Sequence, residues 1–149
     1  MGLIILLFHC VFGTKQRRSL LKGQVLGKIN AYMAGIARNH DMHLVRAGGM
    51  DNHRHLLLEL KPTTNVCDAI RLIKANSSKW LHETFPEIGE FGWQNGYGAF
   101  TVSESARAKV IAYINGQKRH HRTMTFEEEL MTLLIRHGIP YDMLLRLGR

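Results

Sequence analysis

Cysteine is scarce: Cys10 and Cys67 are the only two. They form no C-x-x-C pair and no disulfide framework, which fits a reduced, cytoplasmic protein. Acidic residues are outnumbered, 12 Asp and Glu against 20 Lys and Arg, leaving a formal charge of +8 and a sequence pI of about 9.9. So basic a balance points to a polyanionic partner, nucleic acid before others, with generic solubilising charge as the alternative. The apolar opening MGLIILLFHCVFG falls short of the roughly 20 residues that a bilayer span needs. It has no basic residue before it and no small-residue cleavage site, so it reads as a buried strand, not a leader or a membrane anchor. Repeats, low-complexity tracts and linkers are also missing. The 149 residues are therefore expected to form one domain with a real hydrophobic core.

What is present is ordinary for a globular protein, 45% hydrophobic and 21% charged. Residues 3–13 form a run rich in Leu, Ile, Val and Phe that stops at Gly13 and predicts a central strand. Ser19 to His40 predicts a helix, with Leu21, Val25, Ile29, Tyr32, Met33 and Ile36 on one face. Asp41 to Ala47 predicts a strand closed by Gly48-Gly49, and residues 53–60 the next, ended at Lys61-Pro62, so the two make a hairpin. Asn65 is a candidate cap for a helix reaching Thr84, with Asp68 in its first turn. An Asn-Gly turn signal precedes a last strand near Tyr97 to Val102. Ser103 or Ser105 is expected to cap a third helix reaching His120. Thr125 and Glu128 make a capping box for a final one that ends near His137, terminated by Gly138 and Pro140. The order strand, helix, strand, strand, helix, strand, then two helices, is the split β-α-β arrangement of ferredoxin-like folds. The class is α+β with an antiparallel sheet. That fold hosts many functions and names none.

Several residues are equipped for chemistry. His53 and His55 are two apart on a predicted strand, so both imidazoles share a face and can converge on one divalent ion. Glu59 lies further along that face. The residues alone leave open a plain pair of strand histidines. The H-x-H-x-D-H pattern of metallo-β-lactamase-like hydrolases is excluded, because Leu57 and Leu58 follow. Tyr113 and Gln117 are four apart and share a helical face. A Tyr hydroxyl can be a nucleophile, and a Gln carbonyl can bind a hard cation or position a phosphate. A wet helix tyrosine and a surface glutamine are the bland alternative. Gly116 weakens that helix by about 1 kcal/mol relative to Ala, which suggests local flexibility or a close approach. Two basic clusters suit phosphates. One is Lys118, Arg119, His120, His121 and Arg122; the other is Arg71, Lys74 and Lys79 with Ser77, Ser78 and Trp80. Each also reads as a solvated helix face, and Trp80 as core.

Taken together, the segments HCVFGTKQRR, GGMDNHRHLLLEL, IRLIKANSSKWLHETF, FGWQNGYGAFTVS, VIAYINGQKRHH and TFEEELMTLLIRHGIPYD resemble, in order and over nearly the whole chain, the single-tyrosine HUH transposases of small bacterial insertion sequences. The resemblance implies that His53 and His55 hold Mg²⁺ or Mn²⁺ with Gln117 as third ligand, and that Tyr113 is the nucleophile. Tyr113 would cleave single-stranded DNA carrying hairpin ends, leaving a 5′-phosphotyrosine and a free 3′-hydroxyl that later reverses the step. It also implies a homodimer in which the tyrosine helix of one subunit can complete the histidine site of the other, with a compact monomer and its site in cis as the bland alternative. Gly116 within the helix, and Gly98 and Ser103 flanking its approach, would let the helix stand away from its own core.

One departure stands out. The family has an apolar residue between the two histidines where this chain has Arg54. Alternation sends Arg54 to the opposite sheet face, and an unpaired buried guanidinium is costly. It is expected at the strand's edge, reaching solvent or a phosphate. Otherwise the site is loosened, and the chain is a non-catalytic or domesticated protein that binds DNA hairpins without cutting them. An RNA-binding ferredoxin-like module is the weakest reading, since no aromatic-rich RNP-type strand is present.

Overall fold

In the computed structural model, which describes residues 2–140, β1 (Leu6–Gly13) leads to α1 (Gln24–Asn39), the hairpin β2 (His43–Met50) and β3 (His53–Leu60), α2 (Val66–Thr84) and β4 (Gly98–Val102). Three further helices follow: α3 (Arg107–Asn115), α4 (Gln117–His120) and α5 (Phe126–Arg136). Tyr141 and Asp142, the last residues of the tail motif, lie outside the described residues. The sheet has four strands in the order β2-β3-β1-β4, and every neighbouring pair is antiparallel. That is the expected ferredoxin-like α+β arrangement.

Strand alternation divides the protein into two layers. Cys10 and Phe12 of β1 and Leu56, Leu58 and Leu60 of β3 bury against Ile29, Met33 and Ile36 of α1 and Ile70 and Ile73 of α2. The odd-numbered residues of both strands face the other way. There Val11 packs against Phe126, Leu130 and Leu133 of α5, and Leu7 and Leu57 pack against Ile114 of α3. His9, His53 and His55 share this second face, so the helices after β4 form a roof over the histidines.

Several boundaries differ from expectation for physical reasons. β1 starts at Leu6, because its last pairing partner is Leu60 and the chain beyond turns away at Lys61-Pro62. Leu3, Ile4 and Ile5 are exposed. α1 starts at Gln24, since Gly23 at φ 58° interrupts any earlier helix. β2 runs through Gly48 and Gly49 to Met50, and the turn falls at Asp51-Asn52. Ser103 offers no side-chain cap, and a short 3-10 turn precedes α3, which breaks at Gly116. The Asn65 cap, accepting from the Asp68 N–H, and the Thr125–Glu128 capping box are both present. Among the described residues, no helix is long and apolar enough to cross a membrane.

Candidate active site

β3 places His53 and His55 side by side on the roofed face, both fully buried. His53 Nδ1 lies 2.8 Å from Asn52 Oδ1 and its Nε2 lies 2.9 Å from Gln117 Oε1. His55 Nδ1 lies 2.8 Å from His9 Nε2 and its Nε2 lies 2.9 Å from Glu129 Oε1. The same oxygen is 3.4 Å from His53 Nε2 and 3.0 Å from His121 Nε2. The other carboxylate oxygen, Oε2, accepts from Gln117 Nε2 at 2.8 Å and from the Tyr113 hydroxyl. Tyr113 and Gln117 thus meet at one carboxylate across the break at Gly116.

The roof is seated by small residues and apolar anchors. Gly48 of β2 lies under α3: a Cβ there would be 2.8 Å from both Cγ2 and the carbonyl oxygen of Ile114. The glycine read from sequence as a strand terminator is instead a site of close approach, and it brings Tyr113, next to Ile114, over β3. On α5 the buried residues are Phe126, Glu129, Leu130, Leu133 and Leu134. Glu129 is carried inward by that stripe, while the Phe126 ring stacks on His53 at 4.1 Å between centroids.

Burial sets the protonation states. It draws His9 down to about 3, with the neighbouring His55 adding to the effect. It draws His53 down to about 4 against the opposing hydrogen bond to Glu129, and it lowers His55 as well. All three rings are therefore neutral at ordinary pH, the form that binds metals. Burial also works against ionisation of Glu129, yet bonds with His53 and His55 outweigh it and hold the carboxyl well below the usual range. Burial and then the bond to Glu129 push the Tyr113 hydroxyl up, so it keeps its proton.

This donor set fits a divalent cation. A neutral imidazole carries one N–H, yet His53 faces Asn52 Oδ1 at one nitrogen and two oxygens, of Gln117 and Glu129, at the other. Lone pairs exceed hydrogens there, and a cation would resolve the excess. His53, His55 and Glu129 offer ligand atoms all within 4.8 Å of one another. With the Gln117 oxygen alongside, the set mixes imidazole nitrogen with hard oxygen, a combination suited to Mn²⁺ or Mg²⁺.

Other expected residues lie elsewhere. Glu59, on the same face of β3, pairs with Arg107 at 3.0 Å and stands apart from the histidines. Lys118, Arg119 and Arg122 are exposed beside the site. Arg71, Lys74 and Lys79 belong to α2, which packs on the opposite sheet face. Arg71 pairs with Asp68 and Lys79 with Glu83. The Lys74 ammonium donates to the carbonyls of Gln94 and Gly96 at 2.8 and 2.9 Å, and burial draws it down to about 8. Trp80 stacks on Tyr32 and borders the core.

Arg54 corrects the expectation of a strand-edge guanidinium. β3 is an inner strand, so a residue on its α1–α2 face has no route to solvent, and Arg54 is only 1% exposed. Its Nε donates to the His53 carbonyl at 2.9 Å, Nη1 to Asn30 Oδ1 at 2.8 Å and Nη2 to the Met50 carbonyl at 3.3 Å. Burial draws it down to about 10, which leaves it charged at neutral pH. Arg54 thus ties down the backbone of His53. Within the single chain, the Tyr113 hydroxyl bonds Glu129, the carboxylate that the histidines also meet.

His9 and Glu129 were not anticipated, and His121 was expected only within a basic, phosphate-suited cluster. Each left a signal: His9 alternates with Leu7 and Val11 on an apolar strand, His121 follows Gln117 by one turn, and Glu129 falls on the apolar spacing of α5.

Residues 5–117 match the family described as "Transposase IS200 like". The ISDra2 transposase TnpA of Deinococcus radiodurans is 28% identical over 115 residues, covering 74% of this chain and 82% of its own length. A crystal structure of a candidate transposase, also from Deinococcus radiodurans, superposes with a TM-score of 0.64 at 28% identity, covering 78% of this chain and 93% of that one. A REP-associated tyrosine transposase bound to a REP hairpin shares the fold with a TM-score of 0.61 at 14% identity, covering 81% and 72%. The family match ends at Gln117, so α5 lies beyond it.

Proposed function

The chain belongs to the IS200-like transposase family, and from that footing we propose that it cleaves and rejoins single-stranded DNA through a 5′-phosphotyrosine on Tyr113. The observation that carries this is the convergence of the Tyr113 hydroxyl, Gln117, His53 and His55 on one buried carboxylate.

Free tyrosine loses its proton near pH 10, so attack at neutral pH needs an acceptor. Glu129 Oε2 already receives the Tyr113 hydroxyl hydrogen and takes that proton as Oη closes on phosphorus. The Oη–P bond forms while the P–O3′ bond breaks, and the freed 3′ oxygen gains a proton. One phosphoester replaces another, so rejoining by a 3′-hydroxyl needs no nucleotide. Mg²⁺ or Mn²⁺, held by His53, His55 and Gln117, would polarise the scissile phosphate and orient the leaving oxygen. The roof of α3 and α5 keeps the histidines neutral and dry.

Lys118, Arg119 and Arg122 flank the site and are assigned the DNA backbone near the scissile phosphate. Arg71 and Lys79, across the sheet, are outlying backbone contacts, and Lys74 acts there by holding residues 94–96 in place. Recognition of hairpins at element ends is supported by the hairpin-bound structure of the same fold. β2 and β4 leave two sheet edges through which a homodimer could form. With DNA as substrate, the protein acts in the cytoplasm. The bond from Arg54 to the His53 carbonyl supports this reading over a non-catalytic, hairpin-binding protein of the same fold.

The test is direct. Incubation with Mg²⁺ and a hairpin-bearing single strand should give an SDS-stable adduct mapped to Tyr113, absent in Tyr113→Phe. An adduct that persists in the Phe variant rejects the assignment.

A further inference from the structure

We propose that Glu129 is the charged ligand of the divalent-cation site, so that α5 supplies a fourth arm beside His53, His55 and Gln117. This rests on the reading of the histidine cluster as a cation site and adds a residue beyond the span that matches the family.

Position comes first. Glu129 Oε1 lies 2.9 Å from His55 Nε2 and 3.4 Å from His53 Nε2, and the three side chains can bring ligand atoms within 4.8 Å of one another. The two oxygens are turned to different tasks: Oε1 faces the histidines, and Oε2 faces Tyr113 and Gln117. One carboxylate can therefore hold a cation and the nucleophile's hydrogen together.

Charge comes second. His53, His55 and Gln117 are neutral ligands and would leave a doubly charged ion uncompensated in a buried site. Glu129 is 1% exposed, and a carboxylate so placed is costly without a cation or a full set of donors. The two needs answer each other. An anionic oxygen also favours hard ions such as Mg²⁺ and Mn²⁺ over the softer metals that two imidazoles alone would select.

The helix itself supports the assignment. Glu128 closes the capping box and satisfies the N-terminus of α5, so Glu129 is not needed there. It is instead carried inward between Phe126 and Leu130, with the Phe126 ring stacked on His53. The seating of α5 and cation binding are then one linked equilibrium, and filling the site holds the helix down.

Titration of the full-length chain with Mn²⁺, followed by the electron paramagnetic resonance of the free ion and without DNA, tests this. The wild type should bind one Mn²⁺ per chain, and Glu129→Gln should bind at least about tenfold more weakly, the low end of what losing even an outer partner costs. His53→Ala should also lose binding. If His53→Ala loses the ion while Glu129→Gln keeps wild-type affinity, the proposal is overturned and the histidine site stands. If neither variant loses it, both fall. Wild-type crystals soaked in Mn²⁺ give a check that is independent of mutant folding. The anomalous peak should touch a Glu129 oxygen at about 2.0–2.2 Å, as carboxylate ligands of such ions do; a peak on the histidines without Glu129 overturns the proposal.

Discussion

Gly48 lies directly beneath Ile114, so close that a Cβ on the glycine would stand 2.8 Å from the Ile114 carbonyl oxygen. Gly48 pairs across the sheet with His55, which makes this contact the seat that aligns α3 with the histidines. Gly48→Ala should lift α3 while leaving the basic surface intact. A displacement near 1 Å can cost about 10²-fold in rate. Adduct formation should fall by that order with hairpin binding little changed, and an unimpaired rate would show that α3 is seated by other contacts.

His9 acts on the site through His55. The 2.8 Å contact between His9 Nε2 and His55 Nδ1 fixes which His55 nitrogen is free for a metal. Outer partners of this kind are worth about 10–100-fold in metal affinity or activity. His9→Phe keeps a ring in place and removes the bond. Its Mn²⁺ affinity should drop within that range, whereas His53→Ala and His55→Ala should abolish cleavage, as should EDTA. Full cleavage in EDTA would dismiss the metal reading.

Arg54 offers a separation of stability from chemistry. Arg54→Met fills the space with an apolar chain, yet strands the buried His53 carbonyl that the guanidinium now serves, while the exposed Asn30 can turn its Oδ1 to water. Each unsatisfied buried group costs about 1–3 kcal/mol. Denaturant unfolding should show a loss of that order, partly offset by relief of the buried charge, with the Tyr113 adduct still formed. Loss of the adduct without loss of stability would make Arg54 part of the reaction.

Much of this architecture was legible where the cause is local. β3 could be bounded at residues 53–60 because a leucine-rich run ends at Lys61-Pro62, and the caps at Asn65 and Thr125 are written in adjacent side chains. His53, His55, Tyr113 and Gln117 stood out as same-face pairs, two apart on a strand and four apart on a helix, but that spacing left plain structural readings open, and the roles came from the resemblance to the transposases. Gly48-Gly49 was not readable, because a glycine serves a turn and a close approach equally well and only the overlying helix decides. Glu129 was hidden differently. It sits among Glu127 and Glu128 in a first turn, where carboxylates are expected for the helix dipole, and its role appears only once α5 is laid over β3. Arg54 failed because strand order, which makes β3 an inner strand, is set by long-range pairing.

The basic clusters can be ranked by salt. Single-strand binding should weaken as salt rises, with a slope of about 0.7 per phosphate contact. Replacing Lys118, Arg119 and Arg122 with Gln should flatten the slope by about two units if each meets a phosphate near the site. Replacing Arg71 and Lys79, already paired with Asp68 and Glu83 on the far layer, should change it less. The reverse order would move the DNA path to α2.

Whether a dimer shares its sites follows from where Tyr113 stands. The hydroxyl of Tyr113 bonds Glu129 and the amide of Gln117 reaches His53 within one chain, so each subunit of a homodimer should be complete by itself. For the tyrosine helix to serve a partner instead, Ile114 would have to leave Leu7 and Leu57 and the seat at Gly48, exposing apolar surface that the partner would have to cover again. Mixing decides the matter. Tyr113→Phe protein and His53→Ala/His55→Ala protein are each expected to be inactive, and after subunit exchange, verified by copurification of differently tagged chains, the mixture should remain so. Under sharing, the mixed dimer would hold one intact site made of Tyr113 from one chain and the histidines of the other. Adduct formation would then return on the double-alanine chain, which is the chain keeping Tyr113. Recovery of that adduct would mean that α3 leaves its own sheet in the dimer.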